Sequence, residues 1–200
     1  MTRADRLKKV NDTAAQKASA ALSKMIGQPV GVAVRDARIK EATELGQLLG
    51  REEITAAVYL PITGDVKGAA LFILPQTAAF SLSDLVLNRP PGATRHLSEL
   101  GRSALQEAGN IVCGNYLTVL SNTLGLKIVE HVPAFSFDMF GALMEQVVAD
   151  FSREQEEALV VEVVFTFAPL TLNGYFVLLF EQQYADTLLG LTPAADKCHG

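Results

Sequence analysis

The sequence predicts an α/β (α+β) protein in which two pseudo-symmetric helix–strand–helix–hairpin–helix units share one mixed or antiparallel sheet flanked by helices. Three observations predict it: a segment that occurs twice at a separation of 98 residues, alternating apolar runs joined by short turns in each half, and glycines placed where helices close.

The repeat is clearest in Ala21-Leu22-Ser23-Lys24-Met25-Ile26-Gly27 and Val119-Leu120-Ser121-Asn122-Thr123-Leu124-Gly125. Each closes a long helix, with Gly27 or Gly125 as the C-cap. A strand-like stretch follows: Val30–Val34 in the first half, Ile128–Val132 and then Phe135–Met139 in the second. Helical segments come next, near Glu41–Leu49 and Phe140–Phe151.

Two hairpins match in turn. Thr55–Ile62 and Lys67–Leu74 flank the turn Thr63-Gly64-Asp65, and Leu159–Phe167 and Gly174–Phe180 flank Ala168–Asn173. Each half then carries a short helix with Asp-x-x-Leu, Leu82–Leu87 or Tyr184–Leu189, and Arg89-Pro90-Pro91-Gly92 ends the first unit before a long helix begins near Ser98. The reading is one domain over 1–200, with repeats at about 3–91 and 98–193 and a frayed tail over 194–200.

Hydrophobic residues at 49% and charged residues at 20% describe an ordinary globular chain. A net charge of -5 argues against nucleic acid as a partner, because phosphate backbones require clustered Lys and Arg. The longest apolar runs, Ala69–Leu74 and Tyr175–Phe180, fall far short of the ~20 residues of a membrane span, so no membrane insertion is expected. Charges at the N-terminus have no apolar signal core behind them. Cys113 and Cys198 form no disulfide framework, and Cys113 is read as helix packing. A cytoplasmic location is the expectation.

The chemistry concentrates on the long helix of the second half. Ser103, Glu107 and Asn110 stand at i, i+4 and i+7, and Pro133 follows Asn110 after twenty-two residues. At about 100° per residue the three fall within a band of roughly 60°. Leu105, Val112, Tyr116 and Val119 lie on the opposite side, so the carboxylate and the amide are displayed to water. Gly114, Thr118 and Ser121 continue the band with small side chains, which lets a partner approach closely.

Subtracting 98 places Ser103 on Asp5, Glu107 on Lys9, Asn110 on Asp12 and Pro133 on Arg35. The first helix keeps a polar face but exchanges its chemistry: a cation replaces the carboxylate, and a carboxylate replaces the amide. His96, His131 and His199 show no metal-ligand spacing, and no Cys-x-x-Cys occurs, so no bound metal is expected. Ser23 and Ser121 lack a Gly-x-Ser-x-Gly setting. Gly64-Asp65-Val66-Lys67-Gly68 reads as a hairpin turn, since a phosphate-cradling loop would open a helix.

The pattern Ser-x3-Glu-x2-Asn-x22-Pro, followed by Leu-Ser-x3-Gly, resembles the active-site signature of the CheC/CheX family, phosphatases of the chemotaxis response regulator CheY. The duplication and the element order resemble CheC, and Glu99–Met139 is the most CheC-like stretch. The resemblance implies hydrolysis of an aspartyl phosphate on a CheY-like receiver, with Mg²⁺ supplied by that receiver and no cofactor bound by this chain. It implies that Asn110 orients the attacking water through its amide and that Glu107 engages a receiver lysine. Ser103 and Pro133 support the motif without a chemical step. In the first site, Lys9 would repel a receiver lysine and Asp12 would bring negative charge to a phosphoryl group, so that degenerate set (Asp5, Lys9, Asp12, Arg35) is expected to be inactive. The alternative from another class is a non-catalytic module that docks a receiver or a CheD-type deamidase. A third is a component of the flagellar switch, where CheC-like domains also occur.

Overall fold

The computed structural model describes residues 3–151, 156–167 and 170–184. The elements run α1 (Arg3–Ile26), β1 (Gly31–Glu41), a 3₁₀ turn (Ala42–Gln47), β2 (Ile54–Gly64), β3 (Gly68–Pro75), α2 (Gln76–Val86), α3 (Glu99–Leu124), β4 (Ile128–Glu130), β5 (Ala134–Met139), α4 (Phe140–Phe151), β6 (Glu156–Phe167), β7 (Leu170–Glu181) and a 3₁₀ turn (Gln182–Tyr184).

Among the described residues seven strands form one sheet, in the order β1-β6-β7-β3-β2-β4 with β5 also on β2. Every pairing is antiparallel. β3 and β7 meet at the centre, where Phe72 pairs with Phe176. β3 is buried from Gly68 to Leu74, which accounts for its unbroken apolar sequence: both faces are covered. Successive side chains of a strand point to opposite faces. Val58, Phe72, Phe165 and Phe176 thus join the core beneath α1, α2 and α3, while Ala57, Leu71, Val160 and Val177 meet the Ala42–Gln47 turn and α4 on the other side.

One rule relates the two edges of the sheet. Ala134 lies opposite Tyr59, and Glu130 opposite Ile62. Shifting β4 and β5 by −98 and β2 by +103 gives Asp36 opposite Glu162 and Val32 opposite Phe165, which are the observed pairs. The β1 register slips between Val34 and Asp36. That slip, at Arg35, falls where His131–Pro133 separates β4 from β5 in the other half.

Several boundaries differ from expectation for local reasons. β1 runs on to Glu41 instead of ending at Val34, because the bulge at Arg35 restores the alternation and returns Ala37 and Ile39 to the core side. The segment after β1 is 3₁₀ rather than α-helical, and β4 stops at Glu130. The expected turn Ala168–Asn173 shrinks, since β6 and β7 pair out to Phe167 opposite Leu170. α2 begins at Gln76, directly after β3. Of the expected Tyr184–Leu189 helix, residues 185–189 lie outside the described residues, as do the tail 194–200, Cys198 and His199.

Candidate functional site

α3 is capped at both ends by its own sequence. Ser98 Oγ accepts from the Gly101 N–H at 3.1 Å, and Gly125 closes the helix in the left-handed region at φ 67°. The helix rests on the sheet through Gly109. A Cβ there would stand 2.5 Å from Val58 Cγ2, so only glycine permits this approach. With Leu105, Ala108, Val112, Cys113 and Tyr116 buried, the opposite band is turned outward. Ser103 and Glu107 are exposed, and Asn110 is half-buried at the rim.

Asn110 and Asn115 of this helix differ in what their amides do. Asn115 donates to the Ile111 carbonyl of its own helix at 2.8 Å. Among the described residues, the Asn110 side chain has no hydrogen-bond partner, so both its donor and its acceptor are available to a visitor. Glu107 likewise forms no ion pair among the described residues.

Pro133 sits beside this band. The Gln106 side-chain amide donates to the Pro133 carbonyl at 2.9 Å, tying the β4–β5 corner to the helix one residue before Glu107. The Arg102 guanidinium lies 6.0 Å from the Phe135 ring centroid and adds a second strut. Pro133 is therefore held by its backbone.

Four features escaped the sequence reading. Leu100 and Val132 are 61% and 84% exposed, and they put apolar surface beside the polar band. Leu100 precedes Glu107 by seven residues and so shares its face, a signal that was present in the spacing. Gln106 carries no signal in the sequence, because its partner is a main-chain carbonyl. Glu130 reaches from β4 over α3, so Gly114 is not the open position expected: a Cβ there would lie 3.3 Å from Glu130 Oε2. Nor is Ser121 free, because its hydroxyl donates to the Leu126 carbonyl and fastens the helix end. Thr118 is exposed, as expected.

The corresponding face of α1 is built differently. Lys9 and Asp12 are exposed and Asp5 lies within the helix. Arg35, at the β1 bulge, pairs with Glu162 at 3.0 Å. Where α3 has Gly109, α1 has Asn11, which is buried and accepts a hydrogen bond from the Tyr116 hydroxyl. Lys8, Asp12, Arg35 and Asp36 border a cleft of about 330 Å³ between α1 and β1. Asn11 lines the same cleft beside Asp12, but its amide oxygen is engaged by the Tyr116 hydroxyl.

Among the described residues, no group of three or more His, Cys, Asp or Glu side chains could hold a metal ion. His131 instead hydrogen-bonds Thr63 Oγ1 at 2.9 Å. Cys113 is fully buried, and burial pushes its thiol up, with the nearby Glu130 charge adding to the effect. A thiol in that state is packing, since the thiolate is the nucleophile. Among the described residues, no helix is long and apolar enough to cross a membrane. The Gly64–Asp65 turn grips β4: Asp65 N donates to the Lys127 carbonyl at 2.8 Å, and Asp65 Oδ2 accepts from Lys127 N at 2.8 Å.

The CheC-like family matches residues 100–136, the stretch that carries Ser103, Glu107, Asn110 and Pro133. The CheY-P phosphatase CheC of Bacillus subtilis (strain 168) is 30% identical over 161 residues, covering 79% of this chain and 77% of that protein. Among solved structures, FliY of Thermotoga maritima superposes with a TM-score of 0.78 at 20% identity, covering 95% of this chain and 96% of that one. A chain of the CheX–CheY–BeF3–Mg complex of Borrelia burgdorferi gives a TM-score of 0.50 at 19% identity, covering 85% of this chain and 97% of that one. The two structural likenesses establish the fold, and the sequence identity to CheC over most of both proteins establishes the family. This chain belongs to the CheC-like family.

Proposed function

We propose that this protein hydrolyses the aspartyl phosphate of a CheY-like response regulator in chemotaxis, through the outward face of α3. The observation that carries the reading is the unpartnered pair Glu107 and Asn110 on that face, within the family-matched residues 100–136. The B. subtilis relative is a CheY-P phosphatase, and a CheX of the same fold has been solved with CheY, BeF3 and Mg.

The geometry supports a division of labour. Hydrolysis of an acyl phosphate needs a water in line with the bond that breaks, and positioning that water lowers the barrier without new covalent chemistry. The Asn110 amide both donates and accepts, so it holds a water in one orientation. Glu107, one turn earlier, meets a receiver lysine and sets the register of the two proteins. Mg²⁺ is held by the receiver and offsets charge on the phosphoryl group. Leu100 and Val132 supply apolar contact around the polar pair, and Ser103 and Pro133 support the motif.

The rest of the reading follows from the same resemblance. The chain is one CheC-like domain with repeats over about 3–91 and 98–193, and the first repeat's set (Asp5, Lys9, Asp12, Arg35) is inactive. The protein works in the cytoplasm and binds no cofactor of its own. A CheD-type deamidase is a second partner.

The test follows phosphate release from the phosphorylated receiver with wild-type protein and with the double variant Glu107→Ala, Asn110→Ala. The wild type accelerates decay and the double variant does not. Equal decay with both proteins would reject the enzyme reading in favour of a docking module.

A further inference from the structure

The α3 face carries a second carboxylate that its own helix does not supply. Gly114 lies four residues beyond Asn110 on the same outward band, about 6 Å further along the helix axis. Because it has no side chain, there is a slot on the helix surface, and the Glu130 carboxylate enters it from β4. Glu107 lies three residues the other way, about 4.5 Å along the axis. An uncharged amide is therefore flanked on both sides by carboxylates, and the corner bearing Glu130 is tied to the helix through Gln106 and Pro133.

The Glu130 side chain has no hydrogen bond or ion pair among the described residues, and although the residue is exposed overall, partial burial against α3 pushes its carboxyl up. A partly desolvated anion without a counter-charge is unfavourable, and a cation brought by a partner would relieve it. The first repeat lacks the whole arrangement. Subtracting 98 puts Gln16 at the Gly114 position and Val32 at the Glu130 position, and Val32 lines an apolar gap with Ala14, Ala15 and Ala18 of α1. The Gly–Glu pair thus occurs only in the half that keeps Glu107 and Asn110.

We infer that Glu130 is a specificity-determining docking residue of the α3 face, which receives a Lys or Arg side chain of the receiver beside the phosphoryl group. The inference rests on the phosphatase reading for its partner. It also explains the charge order on the face: the receiver's anionic phosphoryl group meets the neutral amide, and cations on either side of it meet Glu107 and Glu130.

The experiment measures KM and kcat on the phosphorylated CheY-like receiver, and separately Kd for that receiver, for wild type, Glu130→Gln and Glu130→Lys. Melting curves confirm folding. Glu130→Gln raises KM and Kd about two- to fivefold, the worth of a solvent-accessible ion pair, with kcat retained and a flatter salt dependence. Glu130→Lys raises both about tenfold or more, through like-charge repulsion. Gly114→Ala, which displaces the carboxylate by a few tenths of an ångström while keeping it, shifts KM less than either. Unchanged KM and Kd in both Glu130 variants, or a loss of kcat at constant KM, overturns the inference. Asn110→Ala runs beside them: if it releases phosphate like wild type, the hydrolysis reading fails, while the Kd series still decides the role of Glu130.

Discussion

α1 and α3 occupy equivalent places on one sheet, each beside the strand edge that the same register rule generates, yet their outer faces carry opposite chemistry. On α3 the band reads Ser103, Glu107, Asn110 and Gly114, and on α1 it reads Asp5, Lys9, Asp12 and Gln16. Their seats differ as well. α3 touches β2 through Gly109, whereas α1 at that position uses Asn11, buried against the Tyr116 hydroxyl of α3. The strand pairing is common to both halves, and the polar residues on the two helices are not. What distinguishes the halves is a few side chains and the corner that supports them, a bulge in β1 and a Pro133-centred break between β4 and β5.

The largest expected effect comes from erasing that distinction. Writing the α1 pair onto α3, as Glu107→Lys with Asn110→Asp, replaces the Asn110 amide by an anion and the Glu107 carboxylate by a cation. Phosphate release from the phosphorylated receiver falls by about 10²-fold or more, the scale expected when a reacting group is mispositioned. Next are the seats. Gly109→Ala drives a Cβ to 2.5 Å from Val58 Cγ2 and costs about 1–3 kcal/mol of stability by overpacking, read by urea denaturation. Asn11→Ala leaves the buried Tyr116 hydroxyl unpaired and costs a similar 1–3 kcal/mol (about), read the same way, without lowering phosphate release per folded molecule. Gln106→Ala removes the tie to the Pro133 carbonyl and costs about 1 kcal/mol, with a partial loss of turnover that tracks the loosened corner.

The smallest effect is one of pH. Burial raises the Glu130 carboxyl, so the folded protein keeps this proton at a pH where the unfolded chain has released it. Its contribution to stability is present below the unfolded-state value and is lost as pH rises through the higher folded-state one. Glu130→Gln removes that loss. Its melting temperature relative to wild type therefore climbs as pH rises above the ordinary carboxylate range and then levels. A flat difference across that range would show that the carboxylate is as well solvated folded as unfolded.

Much of this was legible in the sequence because it depends on local spacing. The i, i+4, i+7 band of α3, its Gly125 cap and the hairpin around Gly64 are each fixed by neighbours within about two helical turns or one tight turn, and the repeat at 98 residues exposed the exchanged chemistry of α1. The missing parts depend on contacts distant in sequence. Glu130 reaches the α3 face only because a glycine stands at position 114, and Gln106 stands out only through its bond to a main-chain carbonyl twenty-seven residues away. The extension of β1 beyond Val34 was hidden for a related reason: one bulged residue at Arg35 breaks the period of two on which strand recognition rests.

The central claim, that the chain has one working site and that it lies on α3, is tested most directly by two single variants compared in one assay. Phosphate release from the phosphorylated receiver is followed with Asn110→Ala and with its repeat counterpart Asp12→Ala, each at equal folded concentration. The predicted result is near-complete loss of acceleration with Asn110→Ala and wild-type acceleration with Asp12→Ala. Equal losses in the two, or a loss confined to Asp12→Ala, would contradict it.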